Sequence, residues 1–166
     1  MTIFKHVLHH IILLIVNIFF RGTHFWKIKR ILLLCCGAKI GKETKIVGPI
    51  YFNSKLTIGR DCWIGRNLEI NGNGEVIIGD NCDFGPNVTL LTGSHLIGDS
   101  SRRAGANKTL TIKIGSGVWV GARVTVLGNS IIGDGCVVGC CSLINKNVPD
   151  NILVAGVPAK TIRFLD

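Results

Sequence analysis

Residues 114–149 read IGSGVWVGARVTVLGNSIIGDGCVVGCCSLINKNVP, and an aliphatic residue returns in them every six positions: Ile114, Val120, Val126, Ile132, Val138 and Ile144. The same spacing runs backward through the chain. It holds at Ile40, Ile46, Phe52, Ile58, Ile64 and Ile70, slips by two residues at 72–75, and resumes at Ile78, Phe84 and Leu90. A period of six is neither a heptad nor the 3.6-residue period of a helix, so no long helix places these side chains on one side. A short strand and a turn every six residues does. Three such sides close a triangular coil of eighteen residues, and stacked coils bury the repeated aliphatics in one prism-shaped core. The expected fold is therefore all-β: a parallel β-helix of about five coils over residues 39–166, with a helical segment at 1–38, an outward loop at 96–110 and a C-terminal tail.

Glycine follows the repeat aliphatic at nine places, including Gly41, Gly85 and Gly121. These turns are expected to use backbone conformations that Gly, Asn and Asp tolerate, as in IGDN and IGDG. Cys62, Cys82 and Cys136 each stand four residues after a repeat aliphatic, where Val88, Val118 and Val124 stand elsewhere. Strand alternation turns that position inward, so they read as small core residues. Seven cysteines, two pairs of them adjacent and none spaced CxxC, suggest neither a disulfide framework nor a zinc ribbon.

The net charge of +9 is concentrated at one end. Residues 1–45 hold eight Lys and Arg against the single acid Glu43, whereas the other 121 residues hold eleven against nine. That distribution fits an anionic membrane surface better than a nucleic-acid-binding face. The apolar run IILLIVNIFF, residues 11–20, is about half the length needed to span a bilayer. No small-residue cleavage site follows it, so a cytoplasmic location at the inner face of a membrane is expected. Residues 24–36, HFWKIKRILLLCC, place Phe25, Ile28, Ile31, Leu32 and Cys35 at helical spacing, with Lys27, Lys29 and Arg30 elsewhere on the wheel. Residues 1–36 are thus expected to touch lipid, to cap the β-helix, or both. His6, His9 and His10 have helical spacing but no carboxylate or cysteine nearby to complete a metal site, and no metal is expected.

The tandem [LIV]-G-x4 signature, the stretch quoted above and the ending NILVAGVPAKTIR resemble the hexapeptide-repeat acyltransferases, in particular the galactoside and maltose O-acetyltransferase branch. The resemblance covers about residues 40–163. It implies a left-handed β-helix, a homotrimer and an acetyl-CoA site in the groove between subunits. His95, the only histidine after residue 24, coincides in PNVTL…TGSH with the family's catalytic base. It stands where the loop leaves the coil, and that loop is polar and cationic, with Arg102, Arg103 and Lys108. A neutral imidazole there suits proton abstraction from an acceptor hydroxyl. Through GVWVGA, the resemblance implies an oxyanion donor at the Ala122 backbone N–H and an aromatic beside the base at Trp119, whose alternative is a packing role. It implies phosphate contacts at Lys146, Lys160 and Arg163, and pantetheine contacts at Gly139 and Cys140.

The branch's sugar-binding asparagine falls by spacing at Gly65. Asn67, Asn71 and Asp83 remain as acceptor contacts or as turn formers. The implied activity is acetyl-CoA-dependent O-acetylation of a sugar hydroxyl, with surface-polysaccharide biosynthesis as the expected setting. Serine O-acetylation, nucleotide-sugar N-acetylation and a non-catalytic membrane-attached scaffold are the alternatives. A γ-class carbonic anhydrase needs three histidines around zinc, and the repeat region has one.

Overall fold

A computed structural model describes residues 3–166 and contains three parallel sheets that form the sides of a prism. The first holds Lys39–Ile40, Lys55–Ile58, Glu75–Ile78, Thr111–Ile114 and Ile131–Ile132. The second holds Lys45–Ile46, Trp63–Ile64, Asp83–Phe84, Trp119–Val120, Val137–Val138 and Ile152–Gly156, and Ala159–Phe164 folds back antiparallel on its edge. The third holds Ile50–Phe52, Leu68–Asn71, Thr89–Leu91, Thr125–Leu127 and Leu143–Ile144. All fifteen repeat residues are buried and stack in register, as in Ile40, Ile58, Ile78, Ile114 and Ile132. Beyond the five expected coils a sixth is begun. Val148 bridges to Ile132 and Val154 pairs with Val138, both buried.

The glycines after the repeat aliphatics have a different cause from the one expected. Left-handed backbone occurs two residues later, at Asp61, Asn67, Asn81, Asn87, Arg123 and Cys141 among others. The glycines themselves lie where successive coils touch. A Cβ on Gly85 would stand 2.6 Å from the Ala122 nitrogen, and one on Gly121 would stand 2.7 Å from the Cys140 nitrogen. Close stacking of turns, rather than positive φ, demands glycine there. Cys62, Cys82 and Cys136 are buried in the core, as their spacing implies.

A parallel stack leaves unpaired backbone at its first coil, and the N-terminal helices occupy that end. Helix α1, Ile3–Phe19, packs Ile12, Leu13 and Val16 into the core cluster. Its buried Asn17 donates to the Ile50 carbonyl at 2.9 Å and accepts from the Ile50 N–H at 3.0 Å, while His9 Nε2–H donates to the Phe52 carbonyl at 2.7 Å. Helix α2, Trp26–Cys35, places Arg30 on the Ile40 and Gly41 carbonyls. Lys29, expected on the basic surface, is instead fully buried, and its ammonium donates to the Gly22 and Val47 carbonyls at 2.5 and 3.0 Å. Burial pulls its pKa from 10.5 down to about 8. The outer side of the pair stays apolar and exposed, at Leu14, Ile18, Phe19, Ile28 and Ile31. No helix among the described residues is long and apolar enough to cross a membrane.

Candidate functional site at the prism edges

The insertion between Leu91 and Thr111, expected as an outward loop at 96–110, is an antiparallel hairpin of Gly93–Ile97 and Ala104–Thr109. Its tip is fixed by Asp99, which accepts from the Ser101 hydroxyl and from the Ser101 and Arg102 N–H groups. Those donors hold its carboxyl below the usual range. His95 lies on the first arm, exposed, with Nδ1 2.9 Å from the Gly105 carbonyl. A carbonyl only accepts, so Nδ1 carries the proton and the neutral ring keeps its lone pair on Nε2. The second strand of the hairpin therefore sets the tautomer that a general base needs. Asn71 lies at the same prism edge, since it pairs with Leu91 and its carbonyl accepts from the Thr92 N–H at the hairpin root. Gly65, by contrast, is buried against the next coil, where a Cβ would meet the Phe84 carbonyl at 2.6 Å. No ligand-contacting side chain fits at that position.

A second edge presents backbone donors. Where the chain turns from the first sheet to the second, side chains cap the N–H groups in a ladder. Arg60 donates to Asp80, Asp80 to the Ser116 hydroxyl, Ser116 to Asp134, and Asp134 to Asp150, at 2.7–3.1 Å. The equivalent positions between the second and third sheets are Arg66, Pro86, Ala122 and Cys140, and none supplies such a cap. The Ala122 and Cys140 N–H groups accordingly find no acceptor among the described residues. Gly139 precedes Cys140 on this edge, and Asn67 lies on it three coils before them, donating to Asn87 at 2.9 Å. Uncapped donors on a solvent-exposed turn suit an oxyanion or the amides of a ligand.

Between these turns and the preceding corner, the outer side of the second sheet carries a register column of Lys45, Trp63, Asp83, Trp119, Val137, Leu153 and Arg163. Trp119 is 60% exposed and three residues before Ala122. Trp63, at 42% exposure, was not singled out in the sequence. Its signal was available, because Trp63, Asp83 and Trp119 each immediately precede a repeat residue. At the far end of the prism a cavity of about 290 Å³ brings Lys146 and Lys160 together with Asn145 and Asn147. Apart from Lys146 and Lys160 at that cavity, the expected residues sort into two groups within one chain. His95 and Asn71 occupy the edge between the third and first sheets, whereas Asp83, Trp119, Ala122, Gly139 and Cys140 lie on the second sheet and the edge beyond it. No group of three or more potential metal ligands occurs among the described residues.

Residues 111–146 match the family described as bacterial transferase hexapeptide (six repeats). The chain is similar to the putative colanic acid biosynthesis acetyltransferase WcaF of Escherichia coli (strain K12), 37% identical over 135 residues that cover 80% of this chain and 72% of that protein. The chain belongs to the hexapeptide-repeat acyltransferase family. Another relative in this family is the galactoside O-acetyltransferase of the same organism, 37% identical over 131 residues, 78% of this chain and 64% of that protein. The chain therefore spans just under two thirds of the galactoside O-acetyltransferases it matches. A solved family member, a galactoside acetyltransferase in complex with coenzyme A, superposes with a TM-score of 0.85 at 29% identity, over 98% of this chain and 81% of that one. The prism is accordingly the left-handed β-helix of the hexapeptide-repeat acetyltransferases.

Proposed function

We propose that this protein transfers an acetyl group from acetyl-CoA to a glycan hydroxyl, and that it does so between copies of the chain. The observation that carries the reading is the tautomer of His95: Nδ1–H is held by the Gly105 carbonyl, which leaves the Nε2 lone pair free on an exposed ring at the prism edge that also holds Asn71. Nε2 removes the acceptor hydroxyl proton as the oxygen attacks the thioester carbon. The Ala122 N–H of a neighbouring copy stabilises the tetrahedral oxyanion. Collapse breaks the C–S bond, and the departing thiolate takes the proton back from His95. One prism holds the base and the donor on different edges, so side-by-side copies bring them together, and three copies close the ring. Lys146, Lys160 and Arg163, all at the C-terminal end, bind the coenzyme phosphates, while Cys140 and Gly139 line the pantetheine arm and Trp119 flanks the thioester.

The apolar outer side of the two helices and the basic stretch of residues 1–45 support attachment to an anionic leaflet on the cytoplasmic side, with a surface-polysaccharide precursor as acceptor. Co-sedimentation with vesicles containing anionic lipid tests this part, and Leu14→Asp together with Ile18→Asp should abolish it.

The activity test is thiol release from acetyl-CoA by the purified full chain, with free and lipid-linked glycans, serine and a nucleotide amino sugar as acceptors. Glycan-dependent release that falls by about 10²-fold or more in His95→Ala supports the reading. Release driven only by serine or the amino sugar replaces the acceptor class, and failure to bind acetyl-CoA overturns the activity.

A further inference from the structure

The outer column of the second sheet does more than flank the transfer point. From Lys45 through Trp63 and Asp83 to Trp119 the residues are register neighbours, so the Trp63 and Trp119 backbones stand about 10 Å apart, two strand spacings, with Asp83 between them. Both rings are substantially exposed, and Asp83 is exposed as well. At the N-terminal end the column opens into a cavity of about 380 Å³ lined by Thr23, His24, Trp26, Lys45 and Trp63. All three tryptophans of the chain therefore lie along one path. The groups assigned to the coenzyme lie on the other side of Trp119, toward the C-terminus, which leaves the N-terminal stretch of the path for the acceptor.

We infer that this path is an extended saccharide platform and that the acceptor is an oligosaccharide rather than a single sugar; the inference rests on the transferase reading above. The reacting unit lies near Trp119, and further units run past Asp83 to Trp63 and into the cavity at Trp26. The chemistry matches the ligand at each step. An indole face covers the apolar C–H face of a pyranose while its edge stays wet. A carboxylate between two rings accepts paired sugar hydroxyls. The cavity has the size of a small-ligand site and sets the Trp26 and Trp63 rings beside the polar groups of Thr23, His24 and Lys45.

The test is a titration of the full chain with glucose through maltotetraose and with the β-linked galactose series of the same lengths. It is read by tryptophan fluorescence and by acetyl transfer, with acetyl-CoA binding measured alongside. Apparent affinity should rise roughly three- to tenfold from mono- to trisaccharide in one series. Trp63→Ala should remove that gain, Trp63→Phe should retain most of it, and acetyl-CoA binding by both variants reports that they fold. A length-independent affinity, no saccharide binding in either series, or a gain that survives Trp63→Ala overturns the platform. So does a change of oligomer mass in Trp63→Ala, which marks the path as a contact between copies. Acetylation of a monosaccharide without any length gain removes the platform alone. A length gain lost in Trp63→Ala, in a protein that neither binds nor uses acetyl-CoA and whose variant keeps the parent's circular dichroism and melting temperature, keeps the platform and removes the transferase reading.

Discussion

Replacing Lys29 with methionine should make the stability difference between parent and variant depend on pH in one direction only. The Lys29 ammonium is fully buried, has two carbonyl partners and no carboxylate among its hydrogen-bond partners, and titrates at about 8 instead of 10.5. Because the folded pKa is the lower one, the unfolded chain binds the extra proton between pH 8 and 10.5, and stability rises with pH across that window. At 1.36 kcal/mol per unit the full penalty is about 3 kcal/mol below pH 8, and it shrinks to about 1 kcal/mol at pH 10. The methionine side chain has no proton to lose. Urea unfolding followed by circular dichroism, at one protein concentration and at pH 7, 8.5 and 10, should therefore show the parent gaining about 2 kcal/mol on Lys29→Met. Cys36, pushed up to about 11 by burial and then by Cys35, lowers stability above pH 9, but it does so in both proteins and cancels in the difference. A pH-independent difference would refute the buried-ammonium account.

Asn17→Ala removes a donor and an acceptor that serve both backbone groups of Ile50, and should destabilise by about 2–4 kcal/mol in the same unfolding assay. Gly121→Ala drives a Cβ to 2.7 Å from the Cys140 nitrogen and 2.8 Å from the Val138 carbonyl. It should cost about 1–3 kcal/mol and lower acetyl transfer by displacing the adjacent Ala122 N–H. Lys146→Ala combined with Lys160→Ala should raise the KM for acetyl-CoA by about tenfold or more with little change in kcat, since both are assigned to the coenzyme phosphates. Thiol labelling of the native chain should modify Cys140 and Cys141 while sparing buried Cys62, Cys82 and Cys136, and coenzyme A should slow the reaction at Cys140.

The β-helix was legible because its signal is redundant. Fifteen buried positions share one period, and neither interruption disturbs the phase within a coil. The reason for the glycines was not legible, because coil-to-coil proximity and left-handed backbone both select glycine and only coordinates separate them. Lys29 was misread for a related reason. A helical wheel shows which residues share a face, but it cannot show that two backbone carbonyls, at Gly22 and Val47, wait beneath an ammonium. The hairpin was missed because both arms are exposed and the first arm's apolar residues, Leu96 and Ile97, are adjacent, so no hydrophobic alternation marked its strands. His95 stood out by being alone, yet its tautomer depends on Gly105, ten residues away on the other arm. Trp63 lay in phase with Trp119 all along. Only the register made it one of a column.

The proposed division of the site between copies has a direct test in mixed oligomers of His95→Ala and Ala122→Pro. Proline stands at the equivalent turn position one coil earlier, Pro86, and Arg123 follows Ala122 with φ 57, so Ala122→Pro removes the N–H and preserves the turn. Each variant alone should be inactive. Unfolded together and reassembled, about a quarter of the sites in random trimers should pair an intact His95 with an intact Ala122 N–H, and activity should return to about that fraction of the parent. Reassembled trimers that stay inactive would contradict the account, because they would place the base and the donor on the same chain.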